Sequence, residues 1–169
     1  MAISFLPARA EHVPALQSLL LDHGANVWNW LPEDGIAQHM QDIAAARAQA
    51  LLALDGAELV GAVTFCCTHS FSRYQSTARQ DAPHGYICEA VVRRDQAGRG
   101  LGAQLLEHAV ASLKAQGLQE IYIDRHEENA ASAGMMRKAG FVELETFAEP
   151  ARRPHGSGRT TVCRRLLGP

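Results

Sequence analysis

The order of strand and helix signals along the chain predicts a mixed α+β (α/β) domain built around one sheet. Three observations carry this. Short runs of apolar, β-prone residues are interleaved with stretches in which apolar residues recur every three or four positions, the mark of amphipathic helices. An Asp-Gly dipeptide at 55 and 56 lies between two of the apolar runs, as in a hairpin. One continuous stretch, residues 86–114, passes from strand-like residues through three alternate glycines, Gly98, Gly100 and Gly102, straight into a helix. With 169 residues the chain fits one domain with a single core.

Taken in order, Ile3 to Pro7 reads as a first strand. Residues 11–23 read as a helix with Val13, Leu16, Leu19 and Leu20 on its buried side, and Pro14 sits in its first turn, where a missing N–H costs little. Residues 26–32 form a loop holding both tryptophans, Trp28 and Trp30, which either wall a ligand pocket or plug the core edge. Residues 35–49 are alanine-rich and helical in pattern, with Ile36, His39, Met40, Ile43 and Ala44 at helical spacing. Residues 50–54 and 58–67 form the hairpin. Residues 68–85 are polar and loop-like, a connection long enough to be functional or mobile. After the strand at 86–92 and the helix whose stripe is Leu101, Leu105, Leu106, Ala109, Val110 and Leu113, Gly117 serves as a C′ residue. A strand at 120–124, a short helix at 130–139 closed by Gly140, a strand at 141–147, a Pro-, Arg- and Gly-rich loop at 149–159 and a strand at 160–167 complete the chain.

Hydrophobic residues make up 47% and charged residues 20%, as in a globular protein, and a net charge of -2 leaves no footprint for nucleic acid or an anionic membrane surface. Any phosphate contact should be local. Cys66, Cys67, Cys88 and Cys163 match the spacing of neither a zinc site nor a CxxC redox motif, so no metal is expected, and they read as core or strand residues in a reducing compartment. The N-terminus lacks a basic segment followed by a long apolar one, and no run approaches the length of a membrane span. A cytoplasmic protein is the expectation.

A strand feeding a glycine-rich turn that opens a helix leaves backbone N–H groups unpaired at the positive end of the helix dipole, a place to hold a phosphate or pyrophosphate. Arg99 adds a cation there. Gly98, Gly100 and Ala103 satisfy GxGxxA, with Asp124 in the region of a ribose contact, so a dinucleotide fold is one reading. Against it, Arg93 to Ala97 separate strand from glycines, the motif does not lie in the first βα unit, and the alternating βα units of a doubly wound sheet are missing.

The segment Ala97 to Gly102, AGRGLG, resembles the pyrophosphate loop (Gln/Arg-x-x-Gly-x-Gly/Ala) of the GNAT superfamily of acyl-CoA-dependent N-acetyltransferases. Asn129 to Phe141, with Lys138, Gly140 and Phe141 at its end, is similar to a second element of that family, and its Asn-Ala-Ala-Ser start resembles the phosphinothricin-acetyltransferase-like branch. The resemblance covers nearly the whole chain and implies a single GNAT-like domain, residues 1–169: a mostly antiparallel sheet of six to seven strands flanked by about four helices. It implies acetyl-CoA as co-substrate and a small-molecule primary amine as acceptor. By the same resemblance, Ala90, Val91 and Val92 would pair with the pantetheine arm, and a backbone N–H there would polarise the thioester carbonyl. Ala97, Gly98, Arg99, Gly100, Leu101, Gly102 and Ala103 would hold the pyrophosphate, with Asn129, Ser132, Met136 and Lys138 completing the cofactor site. Two positions depart from the pattern. Ala97 stands where Gln or Arg is usual, with Gln96 one place early, and Met136 stands where many members carry a tyrosine that protonates the leaving thiolate.

An alkylamine of pKa about 10 is neutral in only about one part in a thousand at pH 7, so a base is useful, whereas a thiol near pKa 8.5 leaves without much help. Glu89 is the first candidate base, as the acidic residue within the central strand. Alternation sets it on the face opposite Cys88 and Ala90 unless a bulge resets the phase. Its other reading is a solvent-facing or ion-paired carboxylate. His126, Glu127 and Glu128 are the fallback, and His84, as a loop histidine, is expected at the surface. Two further functions stay open: a non-catalytic acyl-CoA-binding sensor, and acetylation of a protein lysine or N-terminus. An exposed edge strand near the C-terminus leaves room for a homodimer.

Overall fold

A computed structural model describes residues 2–168. Its elements run β1 (Ile3–Pro7), α1 (Val13–Leu19), α2 (Glu33–Ala44), β2 (Gln49–Asp55), β3 (Glu58–Thr68), β4 (His84–Val92), α3 (Leu101–Ala115), β5 (Glu120–His126), α4 (Ala130–Lys138), β6 (Val142–Ala148) and β7 (Arg159–Leu166). The seven strands make one sheet in the order β1-β2-β3-β4-β5-β7-β6. All neighbours are antiparallel except β4 and β5. That parallel pair needs a crossover, and α3 supplies it.

Helices cover both faces of the sheet. On one side Leu16, Leu19 and Leu20, with Ile36, Met40 and Ile43 of α2, pack on Leu52, Ala62 and Val91. On the other side the whole stripe of α3, Leu101, Leu105, Leu106, Ala109, Val110 and Leu113, is buried against Val63, Phe65, Ile87, Ile121 and Ile123. Each fully buried side chain of this kind contributes on the order of 1.5–3 kcal/mol. The stripe sits close because the sheet offers glycines beneath it: a Cβ on Gly85 would lie 2.8 Å from Leu113 Cδ1, and one on Gly61 would lie 3.0 Å from Leu105 Cδ1.

Several expectations are corrected. The helix read over 11–23 is a 3₁₀ turn (Ala10–His12), α1, and a π-helical turn (Leu20–Gly24), with Val13 only partly buried. The helix read over 35–49 starts at Glu33 and stops at Ala44, since Ala46 turns with φ 61° and Gln49 already pairs with Phe65. Strand pairing there overrides the helix propensity of alanine. His84 is fully buried at the start of β4, where its Nε2 accepts the Phe71 N–H at 3.0 Å and burial lowers its pKa. Cys67, read as a core or strand residue, is in β3 but exposed.

Candidate active site

The pairing of β4 with β5 covers three residue pairs, Gly85 with Ile121, Tyr86 with Tyr122 and Ile87 with Ile123. Beyond them β4 pairs only with β3 as far as Val92, and β5 pairs only with β7 as far as His126. A slot opens between two strands of one sheet. About 480 Å³ of empty space lies there, bounded by Cys88, Glu89 and Ala90, by Asp124 and Arg125, and by Ser132, Met135 and Met136 of α4 overhead. Met135 also borders a groove of about 840 Å³ at the start of α3, which takes in Val92, Gln96, Ala97, Gly98, Gly100, Leu101, Gly102, Ala103, Ala130 and Lys138. Slot and groove thus adjoin.

The glycines of the groove have separate reasons. Gly98 and Gly100 take φ of 83° and 75°, a region that costs an L-residue strain, and a Cβ on either would meet only open space. Gly102 is helical, and its Cβ would fall 2.5 Å from Met135 Sδ. No side chain caps α3, and its first bond to the N-cap carbonyl runs from Gln104 N to Gly100 O at 3.1 Å. The N–H groups of Leu101, Gly102 and Ala103 precede that bond, so they are available to an anion, with the dipole of a 15-residue helix behind them. Arg99 turns back onto Gln96 and lines neither space.

Glu89 reaches the slot through a β-bulge. Thr64 faces Glu89 and Phe65 faces Ile87, which leaves Cys88 as the extra residue and resets the alternation. Burial raises the Glu89 carboxyl to about 7, offset in part by a hydrogen bond from Asn29 Nδ2 to Oε1 at 3.3 Å and by Arg152 and Arg153, while the Asp124 charge raises it further. Asn29 is itself fixed, donating to Gly24 O at 2.9 Å while Asn26 Oδ1 accepts its N–H at 3.1 Å. Glu89 and Cys88 also border a second space on the far side of the strand, lined by Leu31, Pro32, Gly35, Ile36, His39 and Tyr86. The carboxyl therefore stands where two cavities meet.

Beside it, Asp124 is nearly buried and accepts from Tyr86 Oη at 3.0 Å and from Arg152 at 3.0 and 3.2 Å, with Arg153 Nη2 at 3.6 Å. Burial and this carboxylate hold the Tyr86 hydroxyl well above the usual range. The residues of the ribose reading and of the fallback serve the fold. Asp124 anchors the 149–158 loop. His126 Nδ1 accepts from Glu128 N at 3.0 Å, so its Nε2 carries the proton and donates to His155 O at 2.8 Å. Glu128 Oε1 takes the Ser157 N–H at 2.6 Å, and Glu127 faces Arg159 at 3.8 Å. Trp28 lies against His126 with centroids 4.7 Å apart, and Trp30 is 52% exposed.

Of the residues singled out in the sequence, Glu89, Ala90, Ser132 and Met136 face the slot, and Val92, Ala97, Gly98, Gly100, Leu101, Gly102, Ala103 and Lys138 face the groove. Val91 turns into the core, and Asn129 caps α4, its Oδ1 accepting from Ser132 N at 3.1 Å. Asn29, Met135, Arg152 and Arg153 join the slot without having been singled out. Met135 had a local signal, being next to Met136; the others arrive from loops distant in sequence.

The family model of the Acetyltransferase (GNAT) family matches residues 14–141. The chain belongs to that family. This acetyltransferase is 30% identical over 147 residues to an L-methionine sulfoximine/L-methionine sulfone acetyltransferase of Pseudomonas paraeruginosa, covering 83% of this chain and 81% of the relative. It is 29% identical over the same length to the protein of that name in Pseudomonas aeruginosa, with the same coverage. Among solved structures, it shares the fold of a GNAT family acetyltransferase from Elizabethkingia anophelis with acetyl-CoA bound, at TM-score 0.72, 16% identity and 98% coverage of both chains. A ribosomal-protein-alanine N-acetyltransferase from Brucella melitensis gives TM-score 0.74 at 17% identity, covering 97% and 99%. The described residues carry a mostly antiparallel seven-stranded sheet and four α-helices, in line with the six to seven strands and about four helices that the resemblance implied.

Proposed function

We propose that the chain transfers an acetyl group from acetyl-CoA to the primary amine of a small, amino-acid-like molecule, with Glu89 as the base. The observation that carries this reading is the position of Glu89: its carboxyl, raised to about 7, stands where the cofactor slot meets a second, largely apolar space. The pyrophosphate would lie on the amides at the start of α3, and the pantetheine arm along the free edge of β4 from Cys88 to Val92. The acceptor would enter from the other side. Its ammonium gives a proton to Glu89, the amine nitrogen attacks the thioester carbon, the C–S bond breaks as the thiolate departs, and the acylated nitrogen gives its remaining extra proton to solvent to leave a neutral amide. A backbone N–H of the free edge would meet the oxyanion. Met136 is buried and supplies no proton, so the thiolate takes one from solvent.

The relatives' named acceptors are amino-acid derivatives, and the site suits that class. Leu31, Pro32 and Ile36 give the acceptor-side space an apolar wall, while Arg152 and Arg153 line the slot on the other side of Glu89 and are paired with Asp124. A cytoplasmic location, and a homodimer through the edge strand β6, where Val142 is 65% exposed, belong to the same reading. Sedimentation of the purified chain tests the dimer.

The test of function is calorimetry with acetyl-CoA on the wild type and Gly100→Glu, followed by thiol release with L-methionine sulfone, L-methionine sulfoximine, free amino acids, polyamines and aminoglycosides. Binding abolished by the substitution, with turnover of an amino-acid derivative lost in Glu89→Gln by about 10² to 10⁴, is the expected result. Equal binding by wild type and Gly100→Glu overturns the cofactor site. Binding without turnover on any amine points to the sensor instead.

A further inference from the structure

The bulge that turns Glu89 into the slot is held by a side chain. Thr64, fully buried on β3, faces Glu89 at the point where the ladder shifts, and its Oγ1 accepts the Glu89 N–H at 3.1 Å. The same oxygen lies 2.8 Å from His39 Nε2 on α2. The hydroxyl satisfies both neighbours by accepting the Glu89 N–H with one lone pair and, at Nε2, either donating its proton or accepting with the second lone pair, according to the imidazole tautomer. His39 borders the acceptor-side space together with Glu89. A three-membered chain thus runs from α2 through β3 to the backbone of the candidate base.

We propose that Thr64 and His39 are positioning residues, which fix the bulged backbone at Glu89 and so aim its carboxylate at the acceptor amine. The proposal rests on Glu89 being the base. A hydroxyl is needed because the N–H at a bulge must find an acceptor, and a valine of the same shape would strand both that N–H and the imidazole nitrogen in the interior. Burial lowers the His39 pKa in spite of the nearby Asp42, which favours the neutral imidazole beside Thr64. The charges that shift Glu89 are Asp124, Arg152 and Arg153; Tyr86, Cys88 and His39 are the other titratable groups beside it, and of all these only His39 is hydrogen-bonded to Thr64. The chain is therefore separate from the Asp124 network, and its loss should be read in the geometry of the base and not in the binding of acetyl-CoA.

The experiment compares Thr64→Val, Thr64→Ser, His39→Leu and Glu89→Gln, and the double variant Thr64→Val with Glu89→Gln, using acetyl-CoA and L-methionine sulfone or whichever amine of the acceptor panel turns over fastest. Steady-state rates are taken from pH 5.5 to 9, with thermal melts alongside. Thr64→Val and His39→Leu are expected to lower kcat about tenfold to a hundredfold with the KM for acetyl-CoA changed by less than about twofold. Thr64→Ser restores the rate. On the Glu89→Gln background Thr64→Val has no further effect, because its action passes through Glu89. If Glu89→Gln is slow and Thr64→Val is not, the positioning role is wrong while the base stands. If Glu89→Gln keeps its rate, or no amine turns over, the base falls and the proposal with it. A Thr64→Val loss that persists in full on the Glu89→Gln background, or that serine fails to repair, also overturns it. Should Thr64→Val fail to fold, His39→Leu with and without Glu89→Gln carries the same comparison.

Discussion

As the proposed base, Glu89 would serve reaction and fold in opposite senses. A carboxyl at about 7, against 4.5 for the free group, binds its proton more tightly in the folded chain than in the unfolded one. Folding is therefore unpenalised below about pH 4.5 and loses stability between there and about pH 7, by roughly 3 kcal/mol once the group is ionised in the folded chain. Activity runs the other way, since only the ionised carboxylate accepts a proton. Glu89→Gln should melt at higher temperature than the wild type at pH 8 and at nearly the same temperature at pH 5, while wild-type kcat/KM falls below about pH 7. Calorimetric melts and a pH-rate profile check both halves. A melting difference that grows toward pH 5 would contradict the assignment. Glu89 was legible in the sequence because an acid within an otherwise uncharged strand stands out. Asn29, Arg152 and Arg153 were not, because a polar residue in a loop carries no periodicity and its partner, here Glu89 or Asp124, is set only when strands far apart in the chain come together.

At the scale of elements, α3 carries the amides proposed to hold the pyrophosphate at one end and rests on the sheet through its stripe. Its height is set by Gly61 and Gly85. Gly85→Ala should push Leu113 and cost about 1–3 kcal/mol, seen as a shift in the urea midpoint with an unchanged slope. The groove glycines should separate by mechanism. Gly100→Ala keeps room but forces a Cβ into φ 75°, costing about 1–2 kcal/mol, and places a methyl group where the pyrophosphate would lie. Gly102→Ala must instead displace Met135, a flexible side chain that also lines the slot. Calorimetry should show acetyl-CoA weakened more by the first than melting explains, and by the second only as far as Met135 cannot move. The elements were readable because α3 keeps a strict stripe and Gly117 and Gly140 end their helices with φ of 88° and 82°. The end of α2 and the bulge at Cys88 were not readable: alanines at 44, 45, 46 and 48 favour continued helix, and a bulge leaves the composition of a strand untouched.

For the molecule as a whole, acetyl-CoA should act as a stabiliser. At a hundred times its dissociation constant it adds about 2.7 kcal/mol, which for a domain of this size is roughly 5–10 °C in melting temperature. A dye-based melt with acetyl-CoA, compared with the same concentration of ATP, checks that the gain needs more than phosphate. The slot between β4 and β5 gives this gain an address. Most sheets carry their unpaired edges on the outside, where they are short, charged or covered; this one carries a second pair of edges in its middle, roofed by α4. Without cofactor, the amides of residues 88–92 that point toward β5 have no strand partner, on a strand whose other side is locked to β3. Deuterium should enter that half of β4 quickly while Tyr86 and Ile87, immediately before it on the same strand, stay protected. A bound cofactor should then slow exchange at that one half-strand far more than anywhere else in the sheet.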